Sequence, residues 1–307
     1  MSTLTPFPLL ALIGAVSGAV TAWVLLRRDR PAEVLTPSAP PEPMPDGVTA
    51  RLLADEREAR LDALRSLSEE ADEDPGLRQD CVDEVLAQFR TDPHAPLWEL
   101  LREHLRRDSP RFWPGMDLHV VFGLLADVDL RGCEVRDGVF PSVGFAGDAH
   151  FEDTVFTGKV NFEESCFARH AFFDRARFEA GANFEHTTFT ATAAFPGITT
   201  HGRAWFDAAR FSARTDFAAA GFGDGVSFGG VGFSGPTTFR DARFAAVALF
   251  GQARFGGHAD FTGAVAAAFE FAGARVRTDV HVVHTWPDGV TAGEPAPRRP
   301  GRWAELR

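Results

Sequence analysis

Between residues 118 and 282 the large apolar residues follow neither the three-and-four spacing of an amphipathic helix nor the alternation of a half-buried strand. From Phe145 onward phenylalanines stand at 145, 151, 156, 162, 167, 173, 178, 184, 189 and 195, then at 206, 211, 217, 222, 228, 233, 239, 244, 250, 255 and 261. The steps alternate between six and five, so the period is eleven; Thr200 and Ala266 occupy the beats without a Phe. Two residues before nearly every beat stands a small side chain, as at Ala149, Thr154, Ser165, Ala171, Ala182, Thr215 and Ala259, with Ile198 the bulkiest exception. Such spacing suits short extended runs separated by corners, the chain returning above itself as a solenoid. A large and a small residue at fixed offset is what a narrow, close-packed coil interior needs.

With these residues in view, the chain resembles the pentapeptide-repeat proteins. Their consensus places a small residue two before a central Leu or Phe, often with Asp or Asn between. Ala149-His150-Phe151, Ala182-Asn183-Phe184 and Ala259-Asp260-Phe261 follow that arrangement, and Asp129-Leu130-Arg131-Gly132-Cys133 reads like the ordinary consensus. The resemblance covers residues 118–282 and implies a mainly β fold, a right-handed four-sided parallel β-helix. The inserted residue in every second repeat departs from the family pattern and gives 22 residues per turn on four sides. Residues 22 apart then stack. One column reads Phe151, Phe173, Phe195, Phe217, Phe239 and Phe261, and the column holding Phe156 and Phe178 contains both missed beats. The phenylalanines are therefore a core and not a binding stripe.

Five segments are expected: an anchor over 1–30, a linker over 31–47, a helical cap over 48–110, the β-helix over 116–283 and a tail over 284–307. Leu9 to Leu26 is free of charges and is followed by Arg27, Arg28 and Arg30. At 1.5 Å per residue it reaches about 27 Å, enough for a bilayer core of roughly 30 Å. The arginines on its C-terminal side place the N-terminus outside and the remainder in the cytoplasm, a single-pass arrangement at the cell membrane. A cleaved secretory leader is the competing reading, but no basic n-region precedes the apolar run. Gly14 and Gly18 form a G-x-x-x-G that permits helix pairing, hence a homo-oligomer. Six prolines between residues 31 and 47 make a spacer. Helical periodicity then predicts helices over about 48–71, 77–90 and 97–107. This unit, through Arg60-Leu61-Asp62-Ala63-Leu64-Arg65-Ser66-Leu67, resembles the segment preceding the repeats in actinobacterial membrane-anchored members of the family. Its expected role is to cap the first coil. Val280, Val282 and Val283 are expected to form a last strand, with Trp286 and Trp303 folding back over the final coil.

Charge narrows the functional classes. The net charge is −12, and Lys159 is the only lysine. Residues 31–110 hold 19 acidic against 9 basic side chains, whereas residues 140–271 hold 14 against 10. The rod is therefore close to balanced, which argues against a nucleic-acid-binding stripe. It argues equally against the DNA imitation by which some pentapeptide-repeat proteins occupy type II topoisomerases, the alternative functional reading. Cys81, Cys133 and Cys166 lack paired or metal-ligand spacing and read as buried free thiols of a reducing compartment.

No residue is assigned a catalytic, cofactor or metal role. His281 and His284 sit in a valine run that points them to opposite faces. His150, His170, His186, His201 and His258 share no recurring offset and read as solvated surface. Asp148, Glu152, Asp153, Glu163 and Glu164 gather on neighbouring coils, but acid–base work also needs a cleft, and a convex rod offers none. Gly147, Gly158, Gly202, Gly235 and Gly257 fall in the second slot of six-residue steps, where they ease corners. No phosphate loop, nucleophile elbow or zinc signature is present. The expected function is non-catalytic: a membrane-tethered scaffold that binds an unknown protein partner at the cytoplasmic face, with no cofactor and no nucleic acid.

Overall fold

A computed structural model describes residues 57–89, 97–280, 282–294 and 302–307. The expected anchor, the proline linker and His281 lie outside the described residues. No helix among those described is long and apolar enough to cross a membrane.

Three helices open the described chain: α1 (Arg57–Glu73), α2 (Arg78–Gln88) and α3 (Trp98–Leu105). Each buries one stripe. Leu64, Leu67 and Ala71 line α1, Val82, Val85 and Leu86 line α2, and Trp98, Leu101 and Leu105 line α3. Asp74 ends α1 and accepts the Gly76 amide at 2.8 Å, turning the chain into α2. The unit caps the first coil through specific bonds. Gln79 exchanges two hydrogen bonds with the Asp117 backbone at 3.0 and 2.9 Å, Trp98 Nε1 donates to the Ala126 carbonyl at 3.2 Å, and Arg102 pairs with Asp129 at 2.7 Å.

From Leu118 the chain becomes a parallel β-solenoid of about seven turns, bounded by four sheets. Strands of two or three residues pair 22 apart throughout the middle: Ala149 with Ala171, Ala171 with Ala193, Thr188 with Arg210. The first turn is tighter, because its steps are fives; Leu118 pairs with Gly138 and Gly123 with Val143, 20 residues on. There Val120, Leu125, Leu130 and Val135 hold the beats that phenylalanine holds above them, and all four are buried.

Inside, the columns form as spaced. Phe151, Phe173, Phe195, Phe217, Phe239 and Phe261 stack with centroids 4.7–5.0 Å apart and interplanar angles of 2–19°. Strand spacing sets that separation. Rings of adjacent columns meet edge to face, as Phe184 does with Phe195 at 5.6 Å and 83°, which suits the aromatic quadrupole. Most of the small slots are filled by Ala; where Thr154 and Thr187 stand, the hydroxyl reaches a carbonyl of the coil below, that of Leu130 at 2.7 Å and that of Phe162 at 2.7 Å.

The two missed beats resolve differently. Beside Ala266, Phe269 turns its ring inward, 5.7 Å from Phe244 and 6.1 Å from Phe261, both edge on. At Thr200 nothing substitutes. The residue is buried, and its Oγ1 finds no hydrogen-bond partner within the protein. An unsatisfied buried hydroxyl costs about 1–3 kcal/mol. Thr200→Val, which keeps the shape and drops the hydroxyl, should therefore raise stability by about 1 kcal/mol, read from the denaturant midpoint at unchanged slope. A lower midpoint would show that the hydroxyl is satisfied after all.

Corners follow the step length. Two residues after the Phe that opens each five-residue step, φ is positive, at Asp153 (57°), Glu164 (61°), Arg175 (55°), His186 (57°) and Asp241 (57°) among others. At six-residue corners backbone lies on backbone: a Cβ on Gly235 would come within 2.4 Å of the Ala213 carbonyl, and one on Gly257 within 2.5 Å of Gly235.

The far end differs from expectation. Val280, Val282 and Val283 form no strand among the described residues, and Val283 is 83% exposed. Apolar side chains there have no coil beyond them to pack against. The tail caps the coil, as expected of Trp286. Phe261 donates to the Thr285 carbonyl and Thr285 to that of Ala259, and Trp286 lies over Phe255, Phe261 and Phe271 at 5.2–6.1 Å. Trp303–Glu305 adds an antiparallel strand to Arg275–Arg277, which covers an otherwise open edge.

Candidate functional site

Outward side chains were expected to be solvated, with acidic groups gathering across coils. The coils do bring them together, but mostly as opposite charges. Arg175 pairs with Asp153 at 2.6 Å, Arg169 with Asp148 at 3.2 Å and His201 with Glu179 at 2.5 Å, each partner one coil away. Arg175 beside Asp153 holds that carboxyl below its ordinary range. Glu152 takes up His150 within its own repeat at 2.9 Å. Of the thiols, Cys81 and Cys133 are buried and burial pushes both up to about 12, while Cys166 is partly exposed in an outward slot beside the buried Ser165.

Asp117, His119 and Asp137 bring ligand-type atoms within 4.8 Å of one another. Their carboxylates are already committed: Asp117 accepts two bonds from Arg136, and Asp137 accepts the Lys159 amide at 2.7 Å. His258 and His284 also meet, with centroids 6.3 Å apart. His284 Nδ1 accepts the Ala259 amide at 3.2 Å, so the ring is neutral there, and it stacks on Trp286 at 5.4 Å. Burial, and then His258, lower its pKa. Burial likewise lowers His104, which stacks on Trp113 at 3.7 Å. Both folded-state values lie below the ordinary 6.5. The unfolded chain therefore binds more protons below that pH, so stability is full above about pH 6.5 and falls as the pH drops. Denaturant midpoints measured from pH 7.5 to 5 should decline. His284→Asn, which keeps an acceptor but does not titrate, should flatten part of that decline; an unchanged slope would mean that His284 takes up its proton equally in the folded and unfolded chain.

One cleft breaks the pattern of the rod. On the sheet containing Ala182–Asn183, Ala204–Trp205, Val226–Ser227 and Val247–Leu249, the outward column reads Val139, Asn161, Asn183, Trp205, Ser227, Leu249. Many outward side chains cap their own corner. Asn161 Oδ1 accepts the Glu163 amide, Asn183 Oδ1 that of Glu185 and Asp216 Oδ1 that of Ala218, all at 2.8–2.9 Å. Trp205 and Leu249 have no oxygen to do this, yet stand 36% and 39% exposed. They are two strand spacings apart, roughly 9–10 Å, and the short Ser227 between them leaves a notch of about 550 Å³.

The flanks are charged. On one, Ser227 Oγ donates to Asp207 at 2.6 Å, and Asp207 continues a column with Glu163 and Glu185 at 22-residue spacing. Burial raises the Glu185 pKa, and Asp207 and Glu163 raise it further. On the other flank Arg203 lies over Gly225, next to Asp224. Sequence reasoning assigned no such site and took the rod to be convex. The signal was a single residue: Trp205 is the one tryptophan between residues 118 and 282, in a slot that the coils next to it give to Asn183 and Ser227.

The fold defines a parallel β-solenoid with a helical cap. No protein-family model matches the chain, and comparison with curated proteins and with solved structures finds no match.

Proposed function

We propose that this is a non-catalytic docking rod of the pentapeptide-repeat type, its coil right-handed, tethered to the membrane through residues 9–26 and binding a protein partner on its cytoplasmic side. The observation that carries the reading is the notch at Trp205 and Leu249, where two exposed apolar side chains flank a concave site lined by carboxylates. Solenoids act through extended surfaces of this kind. The rival reading, imitation of duplex DNA toward a type II topoisomerase, has less support, because the rod holds 14 acidic against 10 basic side chains and arginines of neighbouring coils pair with Asp148, Asp153 and Asp260.

Proximity labelling in the native membrane tests the proposal, using the full chain and a variant with its outward rod charges permuted. A partner set that depends on the wild-type surface supports docking; identical sets from both overturn it. Topology reporters at residue 40 and at the C-terminus test the orientation, and gyrase supercoiling inhibited by the chain would revive the rival.

A further inference from the structure

The notch has a chemistry specific enough to name its occupant. Resting on the docking reading above, we propose that the Trp205–Leu249 notch captures an arginine side chain from a basic segment of the partner protein.

Charge comes first. Several carboxylates along the rod meet a guanidinium of a neighbouring coil or of their own repeat, as at Asp153, Asp148, Asp260 and Asp216, whereas Asp174 and Asp241 do not. Among the described residues, Glu163, Glu185 and Asp207 have no ion-pair partner, although they stand one above another. The notch lining itself holds Glu185, Asp207 and Asp224 against Arg203 alone. Like charges held at strand spacing repel; burial first, and then Asp207 and Glu163, make Glu185 take up its proton more readily than an ordinary glutamate. A guest cation relieves that repulsion.

Shape and orientation select the guanidinium. Ser227 holds the Asp207 carboxylate on one flank of the notch. Trp205 gives one wall a broad aromatic face, on which a planar guanidinium stacks while forking to carboxylates. Leu249 on the other wall suits the aliphatic stem of the same side chain. A lysine ammonium satisfies the charge but neither the fork nor the stacking. Trp205 also gives up the turn-capping bond that Asn183 makes one coil below. A locally unfavourable choice at an exposed position is where function overrides folding.

The test selects a random dodecapeptide library against the detergent-solubilised full chain, with the Trp205→Asn chain for counter-selection. Asparagine restores the capping group used at position 183, so this variant should melt no lower than wild type. The expected result is enrichment of arginine-bearing peptides. Replacing their arginine by citrulline, which keeps shape but not charge, should weaken binding about tenfold, as loss of one charge-assisted hydrogen bond does. Asp207→Asn should have a similar effect, and lysine peptides should bind less well than arginine peptides. Selection of peptides without basic residues, equal binding by the citrulline forms, or equal enrichment on Trp205→Asn overturns the proposal. If the notch fails while permuted rod charges still change the labelled partner set, docking survives and only this occupant is lost.

Discussion

Phe195→Ala should destabilise the rod by about 3–5 kcal/mol, the range for truncating a buried aromatic residue. Phe195 is fully buried midway along its column, stacked on Phe173 at 4.9 Å and on Phe217 at 4.8 Å. It also meets Phe184 and Phe206 edge on at 5.6 and 5.7 Å. The cavity cannot close, because the backbone separation that would have to shrink is fixed by hydrogen bonds on both sides, such as Phe173 N to the Ala194 carbonyl and Phe195 N to that of Asp216, each 2.7 Å. In a solenoid each coil is stabilised mainly by its neighbours, so a defect at mid-rod weakens both halves. Arg214→Ala is the control. That side chain is 66% exposed and holds one surface ion pair with Asp216 at 3.0 Å, worth at most about 1 kcal/mol. Equilibrium denaturation of the two variants should differ clearly; equal midpoints would mean that the inward and outward faces have been exchanged.

The interior was legible from the sequence because it obeys one rule at every coil. A Phe and a small residue at fixed offset set the 22-residue register, and the register set which rings stack. Legibility stopped where a position answers to the coil path instead of to packing. Glu164, Arg175 and Gln252 take the left-handed conformation at five-residue corners, although none is a residue type that seeks it. Closure of the turn imposes that conformation, at a local cost of about 1–2 kcal/mol each. The ends were less legible again. Phe269 lies three residues past the empty beat at Ala266, so only the folded chain shows it filling that space. The tail strand at Trp303–Glu305 pairs antiparallel to the last coil, a partnership no repeat spacing encodes. Trp205 was visible as a residue, but its meaning needed the register that sets it two strands from Leu249 with Ser227 between.

Trp113→Ala is expected to cost about as much as the core defect, about 3–5 kcal/mol, but to release the cap and not the rod. Trp113 is 1% exposed, where the cap hands the chain to the first coil. Its Nε1 donates to Asp72 at the end of α1 at 2.8 Å, and its ring stacks on His104 of α3. Arg111 donates to the same Asp72 carboxylate at 2.5 Å and to Glu103 at 2.9 Å. One side chain thus holds α1, α3 and the entry to the coil together. Burial alone would raise the Asp72 pKa, but the bonds from Trp113 and Arg111 hold it below the ordinary 3.8. Removing the indole takes away a large buried apolar group, a stacking partner and one bond to the carboxylate. Hydrogen exchange separates this outcome from a general loss of stability. Protection should fall first in α1, in α3 and at Leu118–Leu130, while the amides of Phe195, Phe217 and Phe239 keep theirs. Trp113→Phe retains most of the packing without the donor and should recover more than half of the loss. Uniform loss of protection along the whole chain would instead show that the cap and the solenoid unfold as one cooperative unit.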